Sequence, residues 1–108
     1  MKVAFRTKRT EELLCWEQVH CHVLDLLMYH LMFTGFLSTG DADSPGNYGI
    51  LDQAMALQWV HDNIDSFNGD PKKITLFGPD AGAASAGLLM VAPRTRDYVD
   101  KVIAQVSN

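Results

Sequence analysis

The clearest periodicity in the chain lies between Ile50 and Phe67. Ile50, Ala54, Leu57, Val60, Ile64 and Phe67 recur at three- and four-residue steps, which predicts an amphipathic helix with one buried face. Asp52 falls in its first turn, where a carboxylate favours the positive end of the helix dipole. Asn68-Gly69-Asp70-Pro71 ends the helix, because Gly supplies the terminal turn and Pro cannot continue it. Lys73 to Phe77 then reads as a short buried strand, and Gly78 to Gly82 as a sharp turn. A second helix is predicted from Ala81 to Val91, stopping before Pro93. Its first turns are almost entirely Ala, Gly and Ser, which lets a helix sit close to a sheet. After a polar stretch, Asp97 to Lys101, the run Val102-Ile103-Ala104-Gln105-Val106 predicts another strand. Upstream, Val23 to Tyr29 is apolar enough for a buried strand, although its period also permits a helix. Gly35 to Asp41 leaves that element, and Asp41 to Gly49 is dense in turn-formers around Ser44-Pro45-Gly46-Asn47. Residues 1–22 show no clean period, and Glu11 to Val19 fits at most a helical turn or two around Leu13, Leu14 and Trp16.

The order strand, helix, strand, helix, strand implies parallel strands joined by right-handed crossovers, so the expected class is α/β. A parallel sheet of three strands would be poorly covered, because such strands are normally buried on both faces. The last predicted strand is followed only by Ser107-Asn108. These features predict the central slice of a larger domain, with residues 1–22 unassigned and residues 23–108 forming the partial domain.

Composition narrows the function classes. The chain has 108 residues and a net charge of −4, enough for one small domain at most and without the basic stripe of a nucleic-acid binder. The basic cluster Lys2, Arg6, Lys8 and Arg9 is answered by Glu11, Glu12 and Glu17, which reads as solvated terminal surface. Two cysteines, Cys15 and Cys21, are too few to define a disulfide framework, and whether they bond is open. Cys15, His20, Cys21 and His22 are metal-ligand types, but their spacing fits no zinc pattern, so no metal and no cofactor are expected. Residues 1–14 are charged and lack the apolar core of a secretory leader. The most apolar window, Val23 to Leu37, is broken by Asp25, His30 and Gly35 and falls short of the roughly 20 residues that span a bilayer. No membrane contact is therefore expected of this segment itself.

The turn Gly78-Pro79-Asp80-Ala81-Gly82 has the Gly-x-x-x-Gly outline of a nucleophile elbow, with Asp80 where the serine would stand. Several separated stretches resemble the type-B carboxylesterase and cholinesterase family in the same order. They are Gly35 to Asp41, Pro45 to Gln53, Ala56 to Val60, Asn63-Ile64, Phe67 to Pro71, Ile74 to Gly78, Ala81 to Ser85 and Ile103 to Gln105. The resemblance covers roughly Tyr29 to Gln105 and implies an α/β-hydrolase fold, of which this chain would be an incomplete part. The oxyanion-hole glycines and the acid and histidine triad members of that family lie outside this chain.

The departures from the family pattern bear on function. Family enzymes read Gly-Glu-Ser-Ala-Gly at the elbow. Asn68 replaces a glycine usual after the phenylalanine. Met28, His30 and Met32 stand where the family has Asn, Arg and Gly. One branch of the family, with neuroligins, neurotactin, glutactin and gliotactin, has lost the nucleophile and works in cell adhesion. The elbow and the small-residue helix look most like gliotactin. This resemblance implies a non-catalytic domain acting through a protein partner at a cell junction, on the extracellular face of a membrane-anchored parent. Two readings stand beside it: a fragment of a carboxylic ester hydrolase, and a segment that does not fold alone.

The chemistry of Asp80 favours the non-catalytic reading. Serine-type hydrolysis needs a hydroxyl that gives its proton to a histidine. A carboxylate attacking an ester would make an anhydride, which is more activated than the ester, and its charge would oppose a nearby oxyanion. An elbow aspartate can instead attack saturated carbon, as in haloalkane dehalogenases and epoxide hydrolases, but the aromatic neighbour common there is absent, since Ala81 follows. Among other candidates, His61 reads as a boundary residue of the helix, Ser85 as a small packing residue, and Trp59 as a packing residue.

Overall fold

A computed structural model of the protein describes residues 2–7, 13–15 and 33–105. The elements are β1 (Lys2–Thr7), β2 (Leu13–Cys15), a one-turn α1 (Phe33–Phe36), α2 (Tyr48–Asn63), a 3-10 turn (Ile64–Phe67), β3 (Gly69–Pro79), α3 (Ala81–Val91), a second 3-10 turn (Arg96–Tyr98) and β4 (Lys101–Gln105). The sheet order is β2-β1-β3-β4. β3 and β4 are parallel, with Leu76 beside Val102 and Gly78 beside Ala104, and α3 is the crossover between them. The predicted helix from Ala81 to Val91 and the parallel pair that it joins are thus present. The strand expected at Val23 to Tyr29 lies outside the described residues.

The core forms where α2 and α3 meet one face of β3. Leu57, Ile74, Leu76, Ala86 and Leu89 make its buried centre, with Ile50, Ala54, Val60 and Val102 packed around it. Along β3, Ile74, Leu76 and Gly78 are buried while Thr75 and Phe77 are half-buried, the alternation of a strand with one face on the core. On α3 the buried residues are Ala83, Ala86 and Leu89, three apart, so the small-residue stretch does bring the helix onto the sheet.

Several expectations are corrected. α2 starts two residues earlier than its apolar stripe, behind Asn47 at φ 59°, so Asp52 lies beyond the first turn. The stripe holds through Ile64, but Phe67 is half exposed. The α-helix ends at Asn63, and Phe67 is the last residue of the 3-10 turn that follows, next to the left-handed Asn68 where the chain turns away. Asn68, not Gly69, makes the terminal turn, at φ 63° with its N–H shared between the carbonyls of Asp65 and Ile64. That conformation explains the departure from glycine at this position, since Asn is among the residues that tolerate the left-handed region. Gln53, outside the apolar stripe, is buried between Gly49 and Leu57, and its Oε1 has no hydrogen-bond partner. Trp59, expected to pack, is half exposed, because it stands about 200° around the helix from Leu57.

The N-terminal stretch adds two strands that no periodicity announced. β1 runs antiparallel to β3, with Val3 opposite Leu76 and Ala4 opposite Thr75. β2 pairs with β1, so Leu13 to Cys15 is strand where a helical turn was expected. Lys2 and Arg6 of the basic cluster belong to β1. Pairing of Thr7 with Gly69 also extends β3 beyond the predicted Lys73 start, with a register shift between Phe5 and Thr7.

Two local hydrogen-bond sets carry predictions. Thr95 is buried, and its Oγ1 donates to the Leu89 carbonyl at 2.6 Å, satisfying one of the last carbonyls of α3. Thr95→Val keeps the shape and strands that carbonyl, so urea unfolding should show a loss of about 1–3 kcal/mol. In the loop before α2, Asp41 Oδ1 accepts from the Thr39 hydroxyl at 2.6 Å and from the Asp43 and Ser44 N–H groups at 3.1 Å each. The Thr39 hydroxyl, followed by the backbone N–H bonds, holds the Asp41 carboxyl below its ordinary value. These bonds favour the ionised form. The order they give the loop is therefore complete above the ordinary carboxylate pKa and is lost as pH falls through the lowered one. In an acid titration followed by NMR, the Asp43 and Ser44 amide shifts should move with a midpoint below the about 3.9 of an unstructured Asp. Asp41→Ala should remove that titration.

Candidate functional site

The predicted elbow is a strand–turn–helix. β3 ends at Pro79, α3 begins at Ala81, and Asp80 between them takes φ 46°, ψ −118°. Asp80 is one of three non-glycine residues with positive φ among the described residues. With ψ −118° it lies outside the left-handed helical region that Asn47 and Asn68 occupy, so the corner is a strained one, as a nucleophile elbow is. Three backbone bonds fix the turn. The Asp80 N–H donates to the Gln105 carbonyl at 3.1 Å, tying the elbow to the end of β4. The Asp80 carbonyl accepts from the N–H groups of Ala83 at 3.0 Å and Ala84 at 3.2 Å, which starts α3.

The two glycines of the Gly-x-x-x-Gly outline serve the close approach of strand to helix. A Cβ on Gly78 would lie 3.0 Å from the Gly82 carbonyl carbon and 3.1 Å from its Cα. Gly78 is buried, while Pro79, Asp80 and Ala81 are exposed. The Asp80 side chain makes no capping hydrogen bond to α3. The turn places Asp80 at the surface, on a backbone held at both ends.

The other candidates do not assemble around it. The Ser85 hydroxyl donates to the Ala81 carbonyl at 2.9 Å, a bond back into its own helix. His61 is half-buried on α2; its ring packs on Tyr98 at a centroid distance of 4.5 Å, and its Nδ1 lies 3.2 Å from Asp62 Oδ1. No hydrogen bond joins His61 to Asp80 among the described residues. Cys15 lies in β2, whereas His20, Cys21 and His22 are outside the described residues. No group of three or more His, Cys, Asp or Glu residues is poised to hold a metal ion among the described residues. No helix among them is long and apolar enough to cross a membrane. The bond from Asp80 to Gln105 had no sequence signal, because it depends on the register between β3 and β4.

A parallel βαβ unit with a positive-φ residue at the strand–helix corner is the core of an α/β-hydrolase. The Carboxylesterase family matches residues 21–108, and the chain belongs to that family. Cholinesterase 1 of Branchiostoma lanceolatum is 52% identical over 75 residues, covering 69% of this chain and 21% of the cholinesterase. Carboxylesterase 1E of Rattus norvegicus is 46% identical over 83 residues, 77% of this chain and 15% of the esterase. Neuroligin-2 of Homo sapiens is 47% identical over 83 residues, 77% of this chain and 10% of the neuroligin. The chain thus spans about a fifth or less of the length of these curated relatives. Esterase and neuroligin names occur at similar identity, so overall similarity does not separate hydrolysis from other roles.

Proposed function

We propose that the chain is part of a carboxylesterase-family domain that does not hydrolyse esters and acts through protein–protein contact. The observation that carries this reading is the elbow itself. Asp80 occupies the position where the family's serine nucleophile stands, in a turn whose glycines and backbone bonds hold the required shape. Gly78, Pro79, Ala81 and Gly82 serve that shape and carry no chemistry. A carboxylate there has no proton for a histidine to remove, and its product with an ester would be an anhydride. Neuroligin-2 and the esterases match at similar identity, so placement in the adhesion branch rests on the elbow residues and not on overall similarity. The full-length parent then works at a cell junction, anchored in the plasma membrane with this domain on the extracellular face. The elbow run Gly78 to Gly82 and the small-residue helix after it resemble those of gliotactin, a member of that branch.

The test uses the full-length parent and a chromogenic acetate ester. The unaltered parent should release chromophore no faster than buffer. Asp80→Ser restores the hydroxyl and should raise the rate only if the parent keeps a histidine and oxyanion donors within reach. Turnover by the unaltered parent would overturn the non-catalytic reading in favour of an ester hydrolase.

A further inference from the structure

We propose that Asp80 is a site of self-modification, where its carboxyl closes onto the backbone nitrogen of Ala81 to form a cyclic imide, a succinimide. The strained corner already has the geometry of that ring. In an L residue Cβ stands about 120° from the residue's own nitrogen around the Cα–C bond. A ψ of −118° therefore turns the Asp80 Cβ onto the Ala81 nitrogen, the eclipsed arrangement of a five-membered ring. Pro79, Asp80 and Ala81 are all exposed, and the Ala81 side chain is a single methyl. Asn68-Gly69 is the contrast. Sequence alone marks that pair for the same chemistry, because glycine leaves the attacking nitrogen uncrowded. Asn68 has ψ 19°, which leaves its Cβ about 140° from the Gly69 nitrogen.

The ring forms without a second reactant. The Ala81 nitrogen attacks Cγ of the protonated Asp80 carboxyl, the N–Cγ bond forms and one Cγ–O bond breaks. That oxygen leaves as water, with its own proton and the Ala81 amide proton. The fold can lose that N–H. Ala81 is the first residue of α3, and Phe77, four residues back, lies in β3, so the N–H has no partner within the helix. Its loss is as harmless as a proline at the first helical position. The Asp80 N–H bond to Gln105 and the Asp80 carbonyl bonds from Ala83 and Ala84 use groups that the ring keeps. Water then reopens the imide. Attack at Cγ returns aspartate. Attack at the backbone carbonyl carbon gives isoaspartate, whose main chain runs through Cγ with one methylene more. That product takes the carbonyl that starts α3 out of the main chain, and so loosens the elbow.

Isotope uptake in the full-length parent tests this. One portion is kept folded in mildly acidic buffer made with water enriched in the heavy oxygen isotope, and another is kept unfolded in urea in the same water. Each ring opening leaves one heavy oxygen on residue 80. Trypsin in ordinary water then releases residues 74–94, whose only side-chain carboxyl is that of Asp80. The folded portion should label this peptide about 10–100-fold faster than the unfolded one, because the fold supplies a conformer that a free chain rarely visits. Part of the labelled peptide should fragment as isoaspartate. Labelling no faster in the folded portion than in urea overturns the proposal. Asp80→Glu keeps the carboxyl but needs a larger ring, and should label far more slowly. Equal labelling of that variant would mean direct exchange of carboxyl oxygen with water, and would also overturn the proposal.

Discussion

Gly78→Ala destabilises the chain, whereas Gly87→Ala stabilises it, although both replace a glycine with the same side chain within ten residues. At Gly78 the new Cβ would stand 3.0 Å from the Gly82 carbonyl carbon, 3.1 Å from its Cα and 3.2 Å from its oxygen. All three are backbone atoms of the first turn of α3, so no rotamer change relieves the contact. The helix must move off the strand, which costs about 1–3 kcal/mol, the usual range for overpacking a filled site. At Gly87 a Cβ would meet nothing within 4 Å, on the same helix. There Ala lowers the entropy of the unfolded chain and improves helix propensity by about 0.5–1 kcal/mol. Chemical denaturation of the two variants should move the midpoint in opposite directions. The same Gly78 variant should shift the Asp80 and Gln105 amide resonances, because the elbow is tied to β4 through the Asp80 N–H.

Leu76→Ala is expected to be the most damaging single truncation. Leu76 is fully buried on the inner face of β3, between α2 and α3, with Val3 and Val102 beside it in the sheet. The lost transfer energy and the cavity left behind together cost about 2–5 kcal/mol. Total stability of a small domain is about 5–15 kcal/mol, so a loss at the upper end leaves a large unfolded fraction. Phe67→Ala is the control. Phe67 is half exposed at the end of the 3-10 turn, and its truncation should cost far less than its place in the apolar stripe implies.

The parts of the fold legible from sequence are those set by local rules. The small-residue run and Pro93 fixed α3 at both ends, because one continues a helix and the other cannot. The short apolar runs on either side placed β3 and β4, although β4 begins one residue earlier than its pattern. What was not legible depends on pairing at a distance. β1 has no period of its own that marks it as a strand; it is held by the ladder to β3. Asp52 was misplaced because the helix starts two residues early, and Phe67 because the stripe was continued past the end of the α-helix at Asn63. At the site, the elbow outline and its aspartate were visible, and the positive φ of Asp80 follows from the turn. The close contact of Gly78 with Gly82 and the bond to Gln105 were not, since both arise only when helix and strand are packed.

The central claim is that this elbow keeps its shape and lacks a nucleophile, and covalent labelling of the full-length parent tests it most directly. A fluorophosphonate probe loses fluoride to an activated serine and leaves a stable adduct. Trypsin, cutting after Lys73 and Arg94, releases residues 74–94 as one peptide holding Asp80 and Ser85. With a carboxylesterase labelled in parallel to show that the probe is competent, the peptide from the parent should carry no adduct. An adduct on Asp80 or Ser85, lost with the corresponding Asp80→Ala or Ser85→Ala variant, would contradict the account.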